Sequence, residues 1–192
     1  MGATAGTTDR APVPPSGARV LLFTGDGKGK TTAALGMVLR AAGHGQAARV
    51  VQFIKADRRT GELAAAKALK GVEIVQTGRG FVPPPDAATF TTHVRAAEGG
   101  VARAEQALAD GQVRLLVLDE VCTAVAKGLL SEERVLELLR RAGEVRGAEL
   151  TIVLTGRGAT AGLIARADTV TEMRCVKHGH VSGWKAQAGV EF

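Results

Sequence analysis

A chain of 192 residues, 45% of them hydrophobic, is long enough to form one domain with a sizeable buried core. No segment is long and apolar enough to cross a membrane, and the first 18 residues lack the apolar core of a secretion signal. The net charge of +6 comes from scattered basic residues and only 3% of residues are aromatic, which argues against a nucleic-acid-binding protein.

Apolar, β-branched segments alternate with helical segments, after an N-terminal arm at residues 1–18 that is rich in Pro, Ala and Thr and expected to be flexible. In chain order the sequence predicts strand Arg19–Thr24, helix Lys30–Ala42, strand Arg49–Ile54, helix Thr60–Leu69, strand Val72–Gln76, helix Ala87–Asp110, strand Val113–Leu118, helix Ser131–Ala142, strand Glu149–Thr155, helix Thr160–Ala167 and strand Asp168–Val176. Gly43 is a stop signal for the first helix, and Ser131 caps the fourth. The pair Gly99–Gly100 is a candidate interruption of the third helix.

Strands separated by helices favour right-handed crossovers and a parallel sheet that is covered by helices on both faces. Residues 19–192 are therefore expected to form one α/β domain with a mostly parallel sheet of about six strands. Ligands bind to such sheets at the carboxyl ends of strands. Three polar segments fall at such ends: the glycine-rich loop after the first strand, Asp119–Glu120, and Thr155–Arg157.

The segment TGDGKGKTT, residues 24–32, is typical of a phosphate-binding loop between a strand and a helix, although Thr24 stands where the general pattern has a glycine. Its glycines let successive backbone N–H groups turn towards one anion, and the following helix adds its positive N-terminus. Lys30 supplies a mobile positive charge for phosphate oxygens, and Thr31 can place its hydroxyl on Mg²⁺. The predicted ATP-binding residues of this loop are Gly25, Asp26, Gly27, Lys28, Gly29, Lys30, Thr31 and Thr32.

The segment LLVLDE, residues 115–120, is an apolar strand that delivers two carboxylates to the rim of the sheet. This is the Walker B arrangement, in which an acidic group reaches Mg²⁺ directly or through water. Asp119 and Glu120 are both candidate metal ligands beside Thr31, and the sequence does not choose between the two acids. A pair of solvated acids at a strand end is the alternative interpretation. With the glycine loop, this motif predicts a P-loop NTPase-like domain of the RecA type.

Four further residues carry weaker signals. Arg157, in the TGRG segment, is a candidate for bidentate phosphate binding, with a plain surface arginine as the alternative. His178 and His180 have no neighbouring Cys or acid cluster and so make a poor metal site. Cys122 is expected to be a small buried residue. Because neither Cys122 nor Cys175 belongs to a CxxC pair, a reduced, cytoplasmic setting is expected.

Nine short segments occur in a recognisable order. They are TGDGKGKTTAALG, AGHG, VVQFIK, TGE, GRGF, LVLDE, VLTGRG, ADTVTEMR and VKHGHVSGWKAQAGVEF. Together they resemble the P-loop ATP:corrinoid adenosyltransferases of the bacterial cobalamin pathway, from about Arg19 to Phe192. The threonine at position 24, the GKGKTT core and the C-terminal ending are typical of this family rather than of NTPases in general.

The resemblance implies that the 5′-deoxyadenosyl group of ATP moves to the cobalt of a corrinoid in its Co(I) state, with release of inorganic triphosphate. Typical substrates of the family are cob(I)alamin and cob(I)yrinic acid a,c-diamide. Family members use Mg²⁺ or a related ion such as Mn²⁺, work in the cytoplasm as homodimers, and depend on a cellular reductant such as a flavoprotein. They hold ATP reversed relative to most P-loop enzymes, so that carbon 5′ faces the nucleophile.

The resemblance also assigns roles to residues. Co(I) is already a strong nucleophile, so no general base is expected. The negative charge that accumulates on triphosphate needs stabilisation, for which Lys30, the loop amides and Mg²⁺ on Thr31 and Glu120 are suited. Lys30, Thr31 and Glu120 are therefore the predicted catalytic residues. Arg40 and Arg157 match family positions near the nucleotide.

Phe81 and Trp184 are the predicted corrinoid-binding aromatics, because both lie in predicted loops whereas Phe23 and Phe53 lie in predicted inner strands. Many family members have a second aromatic two residues after the loop phenylalanine, and the pair is thought to help displace the lower ligand of cobalt. Pro83 stands at that position here. Either Phe81 and the proline run do this work, or the substrate is an early intermediate without the nucleotide loop.

Two other classes of protein are compatible with the glycine loop. An ordinary NTPase or small-molecule kinase would act on the γ-phosphate and release ADP or orthophosphate instead of triphosphate. A nucleotide-dependent nucleic-acid-binding module would lose affinity steeply as salt is added. The resemblance favours the adenosyltransferase, with no nucleic-acid or membrane partner.

Overall fold

The computed structural model describes residues 17–179 and 183–191, so His180, Phe192 and residues 1–16 of the predicted arm lie outside the described residues. The strands are β1 (Arg19–Thr24), β2 (Ala47–Gln52), β3 (Val72–Gln76), β4 (Val113–Asp119), β5 (Thr151–Thr155) and β6 (Thr169–Glu172). The helices are α1 (Lys30–Gly43), α2 (Gly61–Ala68), α3 (Phe90–Ala109), α4 (Val121–Ala126), α5 (Glu132–Arg146) and α6 (Ala161–Arg166), with a short 3-10 helix at Gly147–Glu149. None of the helices in the described ranges combines the length and apolar character that a membrane span requires.

The six strands form one parallel sheet in the order β3-β2-β4-β5-β1-β6. Alternate residues of β4 face opposite sides: Leu116 and Leu118 join the cluster formed with α3 and α5, whereas Leu115 and Val117 pack with α1. The predicted P-loop NTPase-like parallel sheet with helices on both faces is confirmed. One strand, β5, separates β1 from β4, which places the glycine loop and the acid pair about 10 Å apart along the sheet edge.

Several element bounds differ from the predicted ones. Strands β1 and β3 have the predicted bounds, whereas β2 begins and ends two residues earlier and β6 is shorter. The short helix α4 was not predicted. Helix α3 runs without interruption through Gly99–Gly100. A Cβ atom on Gly100 would lie 2.7 Å from the ring of Phe53, so this glycine lets α3 approach β2 closely.

The domain begins slightly before the predicted boundary at Arg19. Ala18 is only 3% exposed and belongs to the main hydrophobic core, and Gly17 packs near Gly143 of α5. The two residues that precede β1 are therefore part of the folded domain.

Candidate nucleotide-binding site

The glycine loop connects β1 to α1 in a conformation that needs its glycines. Gly25 and Gly29 have positive φ angles of 91° and 116°. A Cβ atom on Gly25 or Gly27 would lie 2.5 or 2.6 Å from the carbonyl oxygen of Met173, which follows β6. Thr24 is the last residue of β1 and pairs with Glu172 in β6. Its backbone is therefore extended, which explains why the first glycine of the general pattern is not required here.

Lys30 is the first residue of α1 and is only 6% exposed. Its Nζ atom donates hydrogen bonds to the carbonyl oxygens of Gly25 and Gly27, at 2.7 and 2.6 Å. Burial lowers the pKa of the Lys30 ammonium group, with Glu120 opposing this shift and Arg157 reinforcing it. The loop thus holds a partly desolvated positive charge at the N-terminus of a helix, which is the arrangement that binds a polyphosphate.

Thr31 and Asp119 are joined across the carboxyl edge of the sheet. The hydroxyl of Thr31 donates to Oδ1 of Asp119 at 2.8 Å, and the hydroxyl of Thr155 donates to the same oxygen at 2.8 Å. Asp119 is completely buried. Because a hydroxyl has a single hydrogen, the bond to Asp119 leaves the oxygen lone pairs of Thr31 available to a cation.

Glu120 has an unusual backbone and an available carboxylate. It is the only non-glycine residue of the described ranges with a positive φ angle, 63°, and its N–H donates to the hydroxyl of Thr155 at 2.8 Å. One carboxylate oxygen accepts a hydrogen bond from the hydroxyl of Thr123, and the residue lines the cavity over the glycine loop. Residues in this conformation carry strain and are concentrated at functional sites. The turn directs the chain into α4 immediately after the Walker B strand.

Two further segments complete the edge of the site. The guanidinium group of Arg157 donates to the carbonyl oxygen of Asp26 at 3.3 Å, so the structure brings this predicted residue to the loop. The ammonium group of Lys28 lies 2.9 Å from Oε1 of Glu191 and 3.3 Å from the carbonyl oxygen of Val190. The C-terminal segment therefore lies against the glycine loop.

A cavity of about 500 Å³ opens over the loop. Its walls come from loop residues 27–32, from Lys55 and Glu62, from Glu120 and Arg157, and from the C-terminal segment including His178 and residues 189–191. This volume lies within the range of roughly 300–1,000 Å³ that is usual for small-molecule sites. A larger cavity, of about 1090 Å³, lies elsewhere, between the start of β1 and α5.

The predicted site did not include Gln52, Lys55 and Glu62. Gln52 is completely buried, and its Nε2 atom lies 3.2 Å from Oδ2 of Asp119. The ammonium group of Lys55 lies 2.9 Å from Oε1 of Glu62 and 3.9 Å from Oδ2 of Asp119. Burial alone would raise the pKa of Glu62, but hydrogen bonds from Lys55 and Gln52 lower it overall. A polar residue within the apolar segment RVVQFI was the available signal for Gln52.

The residues present fit a Mg²⁺ ion that is bound together with a nucleotide. In the described ranges no group of three or more His, Cys, Asp or Glu side chains could hold a metal alone. Mg²⁺ usually takes one or two protein ligands and completes its shell with water and phosphate oxygens. The Thr31 hydroxyl and the Glu120 carboxylate would be such ligands, whereas both oxygens of Asp119 already accept hydrogen bonds.

The predicted corrinoid aromatics are both exposed. Phe81 is 90% exposed in the loop after β3, and Trp184 is 72% exposed in the C-terminal segment after β6. Since β3 and β6 are the two outer strands of the sheet, these segments leave the sheet at opposite edges. Trp184 lines another cavity, of about 440 Å³, together with Lys28 and Arg174.

Two other residues lie apart from the reactive part of the site. Arg40 is exposed in the last turn of α1, ten residues after Lys30 and about 15 Å further along the helix axis. The structure therefore does not bring Arg40 to the loop of its own chain. Cys122 is completely buried, as expected, and burial raises the pKa of its thiol to about 12. This thiol stays protonated and unreactive at neutral pH.

Comparisons with known proteins agree on one family. Residues 17–192 match the family model described as ATP:corrinoid adenosyltransferase BtuR/CobO/CobP. A corrinoid adenosyltransferase of Pseudomonas aeruginosa is 44% identical over 90% of this chain and 83% of its own length. A corrinoid adenosyltransferase of Escherichia coli K12 is 38% identical over 90% of this chain and 85% of its own. The corrinoid adenosyltransferase CobA of Salmonella typhimurium is also 38% identical, with the same coverage.

Proposed function

Because the chain belongs to the family of ATP:corrinoid adenosyltransferases, we propose that it transfers the 5′-deoxyadenosyl group of MgATP to the Co(I) of a corrinoid and releases triphosphate. Its activity is the ATP-dependent adenosylation of a corrinoid in cobalamin biosynthesis. The observation that selects this activity among P-loop enzymes is the match over residues 17–192, since a glycine loop alone fits any NTPase. That match includes the loop, the acid pair and the C-terminal segment that lines the cavity.

Lys30 stabilises the departing triphosphate in this mechanism. In the structure its ammonium group donates hydrogen bonds to two carbonyl oxygens of the loop. A bound triphosphate offers charged oxygens in their place, and these favour the positive form of the lysine that burial disfavours. Charge-assisted hydrogen bonds strengthen as negative charge accumulates on the leaving group, so the interaction is greatest in the transition state.

Thr31 and Glu120 are the residues that would hold Mg²⁺, with Asp119 orienting the hydroxyl of Thr31. When bound, the ion would supply Lewis-acid neutralisation of the triphosphate charge. Arg157 adds a second positive group at the loop, within reach of Asp26. The residues of the chain thus stabilise the charge of the leaving group and hold carbon 5′ in position for attack.

Product analysis tests this function directly. The protein is incubated without oxygen with MgATP and a chemically reduced corrinoid, and the products are separated. Formation of a cobalt–carbon bond together with an equal amount of triphosphate is expected. Release of ADP or orthophosphate, with no alkylated corrinoid, would instead identify an NTPase or kinase.

Phe81→Ala is expected to leave MgATP affinity within about twofold, since removal of an exposed side chain away from ATP changes energies by less than about 0.5 kcal/mol. Adenosylation is expected to fall at least about tenfold, or about 1.4 kcal/mol, when the corrinoid enters as Co(II) and is reduced on the enzyme. The fall should be smaller with chemically supplied Co(I). The physical reason is that an aromatic side chain held out by the Gly80 turn and the following prolines can displace the lower ligand of cobalt.

Trp184→Ala provides the comparison, because Trp184 is the other exposed aromatic predicted to bind the corrinoid but belongs to the C-terminal segment. Activity is measured in both reduction regimes for both variants. An equal loss for Phe81→Ala in the two regimes would show general corrinoid binding rather than ligand displacement. No loss in either regime would remove Phe81 from the site.

The assembly and setting of the enzyme are further parts of the proposal. We propose a cytoplasmic homodimer that receives its electrons from a cellular reductant such as a flavoprotein. The exposed positions of Phe81 and Trp184 at opposite edges of the sheet support a dimer, because a second chain could bring the two aromatic segments to one corrinoid. Sedimentation of the purified protein measures this assembly.

Deletion of residues 1–16 tests whether the arm takes part in corrinoid binding. The resemblance to the family implies that a segment before the first strand covers the corrinoid in the partner subunit, and a tail without function is the alternative. The deletion keeps Gly17 and Ala18, because Ala18 is buried in the core. If the arm covers the corrinoid, its deletion raises the corrinoid KM at least about threefold, or about 0.6 kcal/mol, and leaves ATP affinity unchanged. An unchanged corrinoid KM would favour the tail without function.

A further inference from the structure

Three polar side chains lie side by side across three neighbouring strands at the carboxyl edge of the sheet. Gln52 of β2 is in register with Gln76 of β3 on one side and with Asp119 of β4 on the other. Parallel strands in the same register present such residues on the same face, so their side chains can bond laterally. The row ends at Asp119, which binds the hydroxyl of Thr31.

Gln52 uses its whole amide group inside this row. Its Nε2 atom donates to Oδ2 of Asp119 at 3.2 Å and to Oε1 of Glu62 at 3.3 Å. Its Oε1 atom accepts from Nε2 of Gln76 at 3.0 Å. Two carboxylates on one side fix the orientation of the amide, because the reverse orientation would place its oxygen against theirs. Gln52 is completely buried, so water does not substitute for these bonds.

The hydrogen bond from Gln52 fixes the orientation of the Asp119 carboxylate. With Oδ2 held by a rigid, buried donor, the carboxylate plane is fixed and Oδ1 receives the hydroxyl hydrogens of Thr31 and Thr155. That fixes the rotation of the Thr31 hydroxyl and the direction of its lone pairs. Groups that orient metal ligands in this way affect metal affinity without touching the metal.

We propose that Gln52 is a positioning residue for the MgATP site, acting through Asp119 on the hydroxyl of Thr31. The inference rests on the proposed function, since it presumes that Thr31 holds the ion beside ATP. A neutral amide suits this position because it donates to Asp119 and Glu62 together without adding charge. Lys55 supplies the positive charge shared by those two acids.

Gln52→Met, which keeps the size of the side chain and removes the amide, tests the proposal. ATP binding is measured by calorimetry with and without Mg²⁺ for wild type and variant. MgATP affinity is expected to fall between about 10-fold and 100-fold, as for other partners of metal ligands. Affinity for ATP without Mg²⁺ is expected to change less than about twofold, or about 0.4 kcal/mol, because Gln52 does not line the cavity.

Gln76→Met is the matched control, with the same change one strand further from Asp119. It removes a bond to Gln52 and should leave the Mg²⁺ dependence of ATP binding within about twofold, or about 0.4 kcal/mol, of wild type. Equal losses in the two variants, or equal losses with and without Mg²⁺, would show that the row only stabilises the fold. If Gln52→Met does not fold, Gln52→Leu, which is slightly smaller and also uncharged, removes the same amide, and the same loss is expected.

The wild-type protein separates this proposal from the proposed function. Wild-type ATP binding that is not strengthened by Mg²⁺ would contradict the metal site itself. Wild-type binding that is strengthened by Mg²⁺, together with an unchanged response in Gln52→Met, would overturn the role of Gln52 and leave the adenosyltransferase assignment intact.

Discussion

Lys30→Ala is expected to lower the rate of adenosylation at least about 100-fold, as loss of a single transition-state donor does in other enzymes. The Lys30 ammonium is the one loop cation that is buried and bound inside the glycine turn. Its removal leaves the growing charge of the triphosphate to the loop amides and the metal ion. The rate is measured with saturating reduced corrinoid, and nucleotide binding is measured separately.

Lys28→Ala is the appropriate comparison for this variant. Lys28 carries the same charge two residues earlier, but its ammonium group is exposed and pairs with Glu191 rather than with the loop carbonyls. Exposed pairs of this kind contribute about 0–1 kcal/mol. Its loss of activity should therefore be at least about tenfold smaller, a difference of about 1.4 kcal/mol. Near-normal turnover by Lys30→Ala would mean that the loop is not the triphosphate site.

Glu120→Gln is expected to raise the Mg²⁺ concentration needed for half-maximal activity, and to lower the maximal rate about 10-fold to 100-fold. The carboxylate is replaced by an amide of the same size, and a neutral oxygen is a weaker ligand for Mg²⁺. Folding should be unaffected, because the Glu120 carboxylate accepts a hydrogen bond from the hydroxyl of Thr123 that an amide oxygen can also accept. Rates are measured across a Mg²⁺ titration and thermal unfolding is recorded in parallel.

Asp119→Asn is expected to behave differently from Glu120→Gln. Asp119 is buried and accepts hydrogen bonds from Thr31, Thr155 and Gln52. The substitution places an amide N–H group against at least one of these hydrogen-bond donors. The lost hydrogen bond costs about 1–3 kcal/mol of folding free energy. We expect Asp119→Asn to lose both activity and thermal stability, and Glu120→Gln to lose activity alone. Full activity in both variants would exclude a metal role for this strand end.

Local sequence patterns were sufficient to predict the parallel sheet and the glycine loop. The β1 and β3 runs are short, apolar and bounded by breakers, so their bounds were predictable. Helix α4 follows the left-handed turn at Glu120 and has only six residues. A segment this short shows no helical periodicity in the sequence, so it was not predicted. The Gly99–Gly100 pair suggested a break in the helix. The real reason for Gly100 is its close contact with Phe53, which depends on tertiary packing and cannot be seen in a local pattern.

The inner part of the site was harder to predict because it depends on strand register. Gln52 and Asp119 are 67 positions apart and become neighbours only when β2 pairs with β4. Lys55 and Glu62 join them from the segment after β2. Arg40 was placed at the nucleotide through family resemblance, and the length of α1 separates it from the loop in its own chain.

The left-handed backbone of Glu120 has a consequence for how this sequence can evolve. A side chain in that conformation costs about 1–2 kcal/mol, which a glycine at the same position would avoid. Selection for heat resistance alone would therefore draw position 120 towards glycine, and the resulting protein would have lost its carboxylate. Selection for growth on corrinoid-dependent metabolism would draw it back to glutamate. In directed evolution that alternates the two selections, position 120 is therefore expected to change repeatedly between glutamate and glycine.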